Sequence, residues 1–532
     1  MASLEQKLHN INEIIKQSSV IGDGIPARYR LEPKIDPHDE SKPFRQKIFG
    51  ERDNNKPHKK ILVVGETGTG KTTLINTMIN YMLGVQREDK VWFEITDEQQ
   101  SLQTSDESVH SQTSSITVYG FYLQESPIHL TIIDTPGYGD TRDIENDKEI
   151  AIGLLNLSRC DECIHEIHTV CLVIKATENR LSDRQQYVFD AVQSLFGRDI
   201  AENIVLLLTH SSGRTPKNAL TAVKFAKVKC AVNEQNQPVY FLFDNCQSDA
   251  ADEDDEILER SWNLSFRGMT DFFKFFENIK PRTLQMTRDV LQQRNQLEAN
   301  ISNLRSRVQV IELKQKELKQ TQEALEKNKK DVEDNKDFVF EVEVQYKERV
   351  DIDPKMWRLT KKAMCCTFCK ENCHYPGCWW ADDLSWCSVM KNNHCTVCTN
   401  KCHYSKHVKE AKIYVTKTKP KKATYEELKK KYDVKIGDSM SVAKKLEEEL
   451  RESEKDKMKL VIEAFHCVET LEKIALNTDS LLTLVHIDFL IEKLKEINEP
   501  EKAETLENIK KRAGEKHGAL GYIIRCVRSK KK

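Results

Sequence analysis

No stretch of this sequence approaches the ~18 uninterrupted apolar residues of a membrane-spanning helix, and Met1–Lys7 lacks the apolar core of a secretion signal. A cytoplasmic protein without a transmembrane segment is expected. Net charge is also nearly absent. Lys and Arg number 82 against 84 Asp and Glu, a formal −2, so the basic balance of a general nucleic-acid binder is missing and nucleic acid is not expected as a partner. Aromatic residues are scarce at 7% while 31% are charged, which fits long solvated helices beside compact globule rather than one dense core. A chain of 532 residues exceeds a single ordinary core, so several domains are expected. Cysteine, by contrast, is plentiful: 16 residues, which without a secretion signal suggest metal ligation before disulfides.

The organising stretch is Gly65-Glu66-Thr67-Gly68-Thr69-Gly70-Lys71-Thr72, with Thr73 next, set between the apolar run Ile61–Val64 and the helix-like Leu74–Ile79. Strand, glycine-rich turn and helix start form the context a phosphate-binding loop needs. The glycines let successive backbone N–H groups face a phosphate, and the helix N-terminus adds its positive dipole end. Lys71 would bridge the outer phosphates of a nucleotide, and Thr72 would place its hydroxyl on Mg²⁺.

About seventy residues on, His129–Asp134 reads as a strand delivering Asp134 beside Mg²⁺, and the Gly137 amide of Asp134-Thr135-Pro136-Gly137 can reach a γ-phosphate. A switch loop needs one more hydroxyl for the Mg²⁺ shell. Thr113, in the polar stretch Ser105–Ser115, is the candidate, with Thr104 and Thr117 as competitors. Continuous apolar runs at Thr169–Ile174, Asn203–Leu208 and Val239–Phe243, separated by helical patterns, predict an α/β P-loop domain with a doubly wound, mostly parallel sheet over residues 59–282.

Taken in order, Gly65–Thr72, Asp134–Thr141 and a strand ending in Thr209-His210 resemble the septin-like GTPases, nearest the immunity-associated (GIMAP) and plastid import (TOC) G domains, over roughly Lys59 to Lys280. The resemblance implies GTP or GDP with Mg²⁺. It also implies a base pocket formed by the Thr209-His210 loop and Asn245, and nucleotide-dependent pairing of G domains with Arg180 near the partner's phosphates. The usual guanine-reading aspartate is missing from Thr209-His210-Ser211-Ser212, so the resemblance, not visible chemistry, favours guanine. Tyr138 stands where Ras-like enzymes keep a water-orienting glutamine, so hydrolysis should be slow.

Outside this domain, residues 1–58 read as a short helix and an extended, proline-punctuated arm. Leu297, Ile301, Leu304, Val308, Ile311, Leu318, Leu325 and Val332 fall on heptad steps within 283–350, a coiled coil with its partner strand in trans or a helical hairpin closed in cis. Residues 351–408 are rich in Cys and His. Cys366-x-x-Cys369 and Cys395-x-x-Cys398 have the spacing tetrahedral Zn²⁺ demands, and Cys373, Cys378, Cys402 and His407 complete the candidate ligands of structural zinc. Residues 409–532 read as a basic linker followed by amphipathic helices.

The expectation is a guanine-nucleotide switch with slow GTP hydrolysis stimulated by dimerisation, in which Lys71, Thr113, Gly137 and Arg180 serve catalysis and the helical extension serves assembly or an unidentified protein partner. Three alternatives stay open: a nucleotide-bound scaffold with negligible hydrolysis, an ATP-binding P-loop protein, and a zinc-region module that binds protein or RNA under control of the G domain.

Overall fold

The apolar runs named above become the centre of one sheet in the computed structural model of the protein. It describes residues 11–35, 44–95, 116–123, 126–138, 144–158, 164–178, 181–246, 255–328, 330–331, 334, 336–353, 362–375, 383–431, 439–478 and 481–512. The chain forms two compact units: the first runs to Leu291 and regains Ile474–Leu482, and the second holds Gln292–Lys473 and Thr483–Lys511.

The first unit contains β1 (Ser18–Gly22), β2 (Ala27–Leu31), β3 (Lys34–Ile35), β4 (Arg45–Gly50), β5 (His58–Gly65), α1 (Lys71–Met82), β6 (Val91–Glu94), β7 (Thr117–Tyr122), β8 (His129–Asp134) and α2 (Ile144–Leu157). It continues with β9 (Glu166–Ile167), β10 (Thr169–Lys175), α3 (Asp183–Gln193), β11 (Ile204–Thr209), α4 (Lys217–Phe225), β12 (Tyr240–Leu242), α5 (Asp255–Asn278) and β13 (Arg282–Thr283). The main sheet has the order β12-β11-β10-β5-β8-β7-β4-β3. From β12 to β8 its strands are parallel, and β7 runs antiparallel to β8. Burial on both faces is why β8, β10 and β11 show no polar alternation. From β5 the sheet extends to β8 on one side and β10 on the other, so a crevice opens beyond the carboxyl end of β5.

The N-terminal arm is not a simple tether. Its strand β4 adds parallel to β7, from Arg45 opposite Thr117 to Gly50 opposite Tyr122, with β3 antiparallel beyond it, while β1 and β2 join β6 in a separate three-stranded sheet. Extended backbone is already strand backbone, and the open edge of β7 supplies the unpaired N–H and C=O groups that capture it.

The few aromatics are concentrated where α5 meets α1 and β6. Trp92 meets Trp262 edge-on at 5.7 Å, and Tyr81 stacks on Phe273 at 5.1 Å. Two buried amides tie the helix carrying the phosphate loop to β6: Asn80 Nδ2 donates to Phe93 O (2.7 Å) and Asn80 Oδ1 accepts from Phe93 N (2.9 Å), while Asn76 Oδ1 accepts from Ile95 N (3.1 Å).

In the second unit the expected coiled coil over 283–350 needs correction. The helix α6 (Gln285–Lys327) ends at Lys327, and Val339–Asp351 is strand β14. The short strands β15 (Ala363–Cys366), β16 (Glu371–His374), β17 (Met390–Lys391), β18 (His394–Cys395) and β19 (His407–Glu410) follow. The stretch expected to be a basic linker is strand β20 (Lys412–Thr424), paired antiparallel with β14 along its whole length. Phe340–Tyr346 alternates apolar and polar residues with period two, and the carboxylates further along the strand meet lysines across the ladder: Glu348 with Lys417 (2.7 Å) and Asp351 with Lys412 (3.5 Å). Helices α7 (Tyr425–Lys431), α8 (Ser439–Ile474), α9 (Leu481–Glu496) and α10 (Pro500–Arg512) complete the chain's described elements.

The heptad seam of α6 is buried at Leu297, Ile301, Leu304, Val308, Ile311 and Leu318. Its partners lie in the same chain: Asn300 bonds Cys467 (3.6 Å), Lys314 pairs with Glu449 (2.5 Å), and Arg305 lies over the Phe489 ring (4.9 Å). The seam is therefore closed in cis, with α8 antiparallel to α6. Among the described residues no helix is long and apolar enough to cross a membrane.

Asn80→Ala would strand a buried N–H and C=O of Phe93, so it is expected to lower stability by about 2–4 kcal/mol. Urea unfolding followed by tryptophan fluorescence measures this; a change below ~0.5 kcal/mol would show that the amide clamp does not hold β6 on α1.

Candidate functional site

The loop after β5 has the backbone of an anion cradle. Gly68 and Gly70 hold φ of +78° and +80°, the left-handed conformation that lets neighbouring amides turn toward one point. A Cβ on Gly65 would fall 2.5 Å from Val173 O, so only glycine permits β10 to approach there. Thr69 Oγ1 donates to Glu66 O (2.8 Å), closing the loop on itself. Lys71, Thr72 and Thr73 then open α1.

Lys71 is buried inside this cradle, its Nζ donating to Gly65 O (3.2 Å) and Glu66 O (3.0 Å). Burial lowers its pKa from the ordinary 10.5 to about 8, against the opposing pull of Asp134 and Glu66. A desolvated ammonium bonded to neutral carbonyls is under-compensated, which is what a phosphate oxygen would correct. Asp134 is buried at the end of β8, opposite Val63 of β5, and Thr135 Oγ1 donates to Val63 O (3.0 Å). The residues present thus fit a phosphate, with Thr72 and Asp134 as the oxygen donors for a divalent cation.

The Asp134–Gly137 segment packs directly on the phosphate loop. Tyr138 N–H donates to Gly65 O (3.0 Å), and Thr67 N–H donates to Tyr138 O (3.2 Å). A Cβ on Gly137 would lie 2.6 Å from the Thr67 Cα, so this contact demands glycine. The opposite side of the cradle is bounded by the strand end expected to read the base. Thr209 Oγ1 donates to Thr69 O (2.7 Å), and His210, at φ +52°, places Cε1 3.8 Å from where a Gly70 Cβ would stand. Ser211 N–H donates to Phe243 O (3.0 Å), so the Thr209-His210 loop and the segment bearing Asn245 leave the sheet side by side. Asn245 Oδ1 sits 3.4 Å from Thr77 Oγ1 on α1, and its Nδ2 is buried without a hydrogen-bond partner among the described residues.

Thr113 and Arg180 lie outside the described residues, as does the competitor Thr104. One arginine that motif reading passed over is brought to the loop: Arg184 Nε pairs with Glu66 Oε1 at 2.8 Å. It stands in the first turn of α3, behind the N-cap Ser182, and nothing local in the sequence shows that this turn faces the phosphate loop. His168, part of the Cys160–His168 group that could be mistaken for a metal site, has a structural role: its Nδ1 accepts from Lys60 N (3.1 Å). Cys160 and Cys163 are outside the described residues.

A second candidate site lies in the second unit. Cys366, Cys369, Cys398 and Cys402 bring their sulfurs within 4.8 Å of one another, and so do the ligand atoms of Cys373, Cys395, Cys398 and His407. Seven of the eight expected zinc ligands therefore converge; Cys378 is outside the described residues.

A glycine cradle on a central strand, a buried lysine within it and an acidic strand end beside it define a P-loop nucleotide-binding domain of the G-domain type. Comparison with known proteins narrows this class. The AIG1 family model matches residues 59–259. Septin-4 of Rattus norvegicus is 30% identical over 118 residues, covering 20% of this chain and 23% of the septin. Neuronal-specific septin-3 of Mus musculus is 34% identical over 88 residues, covering 16% of this chain and 21% of the septin. The chain thus spans less than a quarter of the length of these relatives. Among solved structures, Toc33 of Arabidopsis thaliana in complex with Mg²⁺ and GMPPNP aligns over 41% of this chain and 87% of its own, with 16% identity and a TM-score of 0.26. Residues 59–259 thus resemble an AIG1-type G domain, and the likeness to the septins points to the same broad group of GTPases.

The depressed Lys71 pKa has a definite sign. Between about 8 and 10.5 the unfolded chain holds this proton more fully than the nucleotide-free folded one, so rising pH through that window stabilises the fold, by on the order of 3 kcal/mol in all. Lys71→Met is expected to lack this increment. Denaturation of both proteins from pH 7 to 10.5 tests it, and parallel curves would refute burial of the charged lysine.

Proposed function

We propose that the first unit binds GTP or GDP with Mg²⁺ and acts as a switch that reads the terminal phosphate. The observation that carries this is the bridge between Tyr138 and the phosphate loop. The Thr67 amide that bonds Tyr138 O is a backbone donor of the cradle, and an amide gives one strong hydrogen bond at a time. A phosphate drawn to that amide competes with Tyr138, so the Asp134–Tyr138 segment responds to the phosphate's presence. Mg²⁺ when bound would neutralise phosphate charge; Thr72, Asp134 and, in this reading, Thr113 supply its protein oxygens. Lys71 binds the phosphates, while Thr209, His210 and Asn245 flank the base. The family resemblance favours guanine.

Hydrolysis in this reading is slow, because Tyr138 offers no carboxamide to orient water. Pairing of two G domains through the nucleotide face accelerates it, with Arg180 neutralising charge in trans. Arg184 holds Glu66, keeping that carboxylate from the phosphate path. The second unit, stabilised by structural Zn²⁺, passes the nucleotide state to assembly or a protein partner in the cytoplasm. The absent carboxamide also favours a second reading, a nucleotide-bound scaffold with negligible turnover.

Titration with fluorescent GTP and ATP in Mg²⁺ tests the proposal. GTP is expected to bind selectively and Lys71→Ala to weaken it at least ~100-fold. Turnover per molecule should rise with protein concentration and lose this rise in Arg180→Ala. Turnover that stays at background throughout would establish the scaffold instead, and tight ATP binding would overturn the guanine assignment. Hydrogen exchange across residues 134–143 should differ between GDP and a non-hydrolysable GTP analogue; identical profiles would refute the switch.

A further inference from the structure

The two thiol-rich ligand sets of the second unit share one residue, Cys398. We propose that they hold a binuclear cluster of soft divalent cations, Zn²⁺ by preference, in which the Cys398 thiolate bridges the two ions. This inference rests on the structural-zinc reading and adds the number of ions and the identity of the bridge.

Each set alone is a complete tetrahedral shell, Cys₄ for Cys366, Cys369, Cys398 and Cys402, and Cys₃His for Cys373, Cys395, Cys398 and His407. Both are complete together only if Cys398 serves both. The Sγ atoms of Cys369 and Cys402 are 3.7 Å apart. That is the edge of a tetrahedron with metal–sulfur bonds of about 2.3 Å, roughly 3.8 Å, and far from the ~2.05 Å of a disulfide. Backbone amides point at the sulfurs: Cys369 N–H at Cys366 (3.3 Å), Cys398 N–H at Cys395 (3.4 Å) and Cys402 N–H at Cys398 (3.3 Å). Such donors favour thiolate over thiol.

His407 supplies an independent sign. It is 4% exposed, its Nδ1 lies 3.1 Å from His403 O, and its Nε2 is buried without a hydrogen-bond partner among the described residues. A carbonyl holding Nδ1–H leaves the Nε2 lone pair for a cation, the arrangement that orients metal-binding imidazoles. If a single ion occupied the Cys₄ set, this nitrogen would stay buried and unpaired, whereas filling both sets satisfies it. Ligation releases the protons of six thiols and involves no redox change.

The size of the fold requires such a staple. Strands of two to four residues carry four of these ligands and turns or loops the other three, and the apolar cluster around them is built largely of the cysteines themselves. Cys365 and Cys387 stand apart: Cys365 Sγ bonds Asn372 Oδ1 (3.3 Å), and Cys387 Sγ bonds His374 Nδ1 (3.1 Å).

The test uses the full chain purified under reducing conditions without chelator, with metal content measured by mass spectrometry. Two zinc ions per chain are expected, falling to one in Cys402→Ala and below one in Cys398→Ala. Because Cys398→Ala removes a ligand from both sets and with it the staple of the fold, the wild-type protein is also exchanged with ¹¹³Cd, and its spectrum should show two resonances split by mutual coupling through the shared sulfur. One ion per chain, two ions retained in Cys398→Ala, or two uncoupled resonances would overturn the bridge while leaving structural zinc in place. A reduced protein that binds no metal overturns both readings.

Discussion

A lysine ammonium held out of water, with backbone carbonyls as its nearest hydrogen-bond acceptors, is the constraint on which the first unit depends. Desolvating Lys71 is unfavourable, and the fold sustains it by placing two carboxylates, Asp134 and Glu66, in its field. Each of these is itself secured by the sheet or a helix: Asp134 by the ladder between β5 and β8, Glu66 by Arg184 of α3. The strands around β5, the Asn76 and Asn80 clamps on α1 and the glycines that admit close backbone contact all maintain this buried charge. In the proposed function the same balance makes the cradle responsive, because an incoming phosphate would change what the amides and the ammonium can bond.

The second unit meets the problem of holding a fold differently. Its helices bury an ordinary apolar seam in cis, but the short-stranded region between β15 and β19 has too little apolar surface for a core. Thiols and one imidazole take that place. Charge pairing across the ladder of β14 and β20 serves a related purpose, since lysines that would be solvated in a loop are set opposite carboxylates and an aromatic ring, as with Lys419 over Tyr346 at 5.3 Å.

Much of the nucleotide site was legible because its parts are local. Gly65–Thr72 and Asp134–Gly137 carry their chemistry within a few residues, and the flanking apolar runs announce buried parallel strands. The convergence of the thiol pairs was legible for the same reason, as Cys-x-x-Cys places two thiols on one turn whatever surrounds it. Long-range pairing was not. The heptad steps before Lys327 describe a helical face correctly, yet neither the cis partner of that face nor the strand beginning at Val339 can be deduced from them, because a short alternating pattern is read only once its partner strand is known.

The sequence by itself determined the phosphate loop, the acidic strand end, the buried character of the central strands and the residue types of the thiol cluster, since each depends on spacing within one turn or one strand. Only the tertiary structure decided the rest. It seated Tyr138 on Gly65 and Thr67, brought Arg184 to Glu66, gave the N-terminal arm to the edge of β7 and made Cys398 common to two ligand sets. These are meetings of segments far apart in the chain. Their free energy comes from burial and edge pairing that no local pattern encodes.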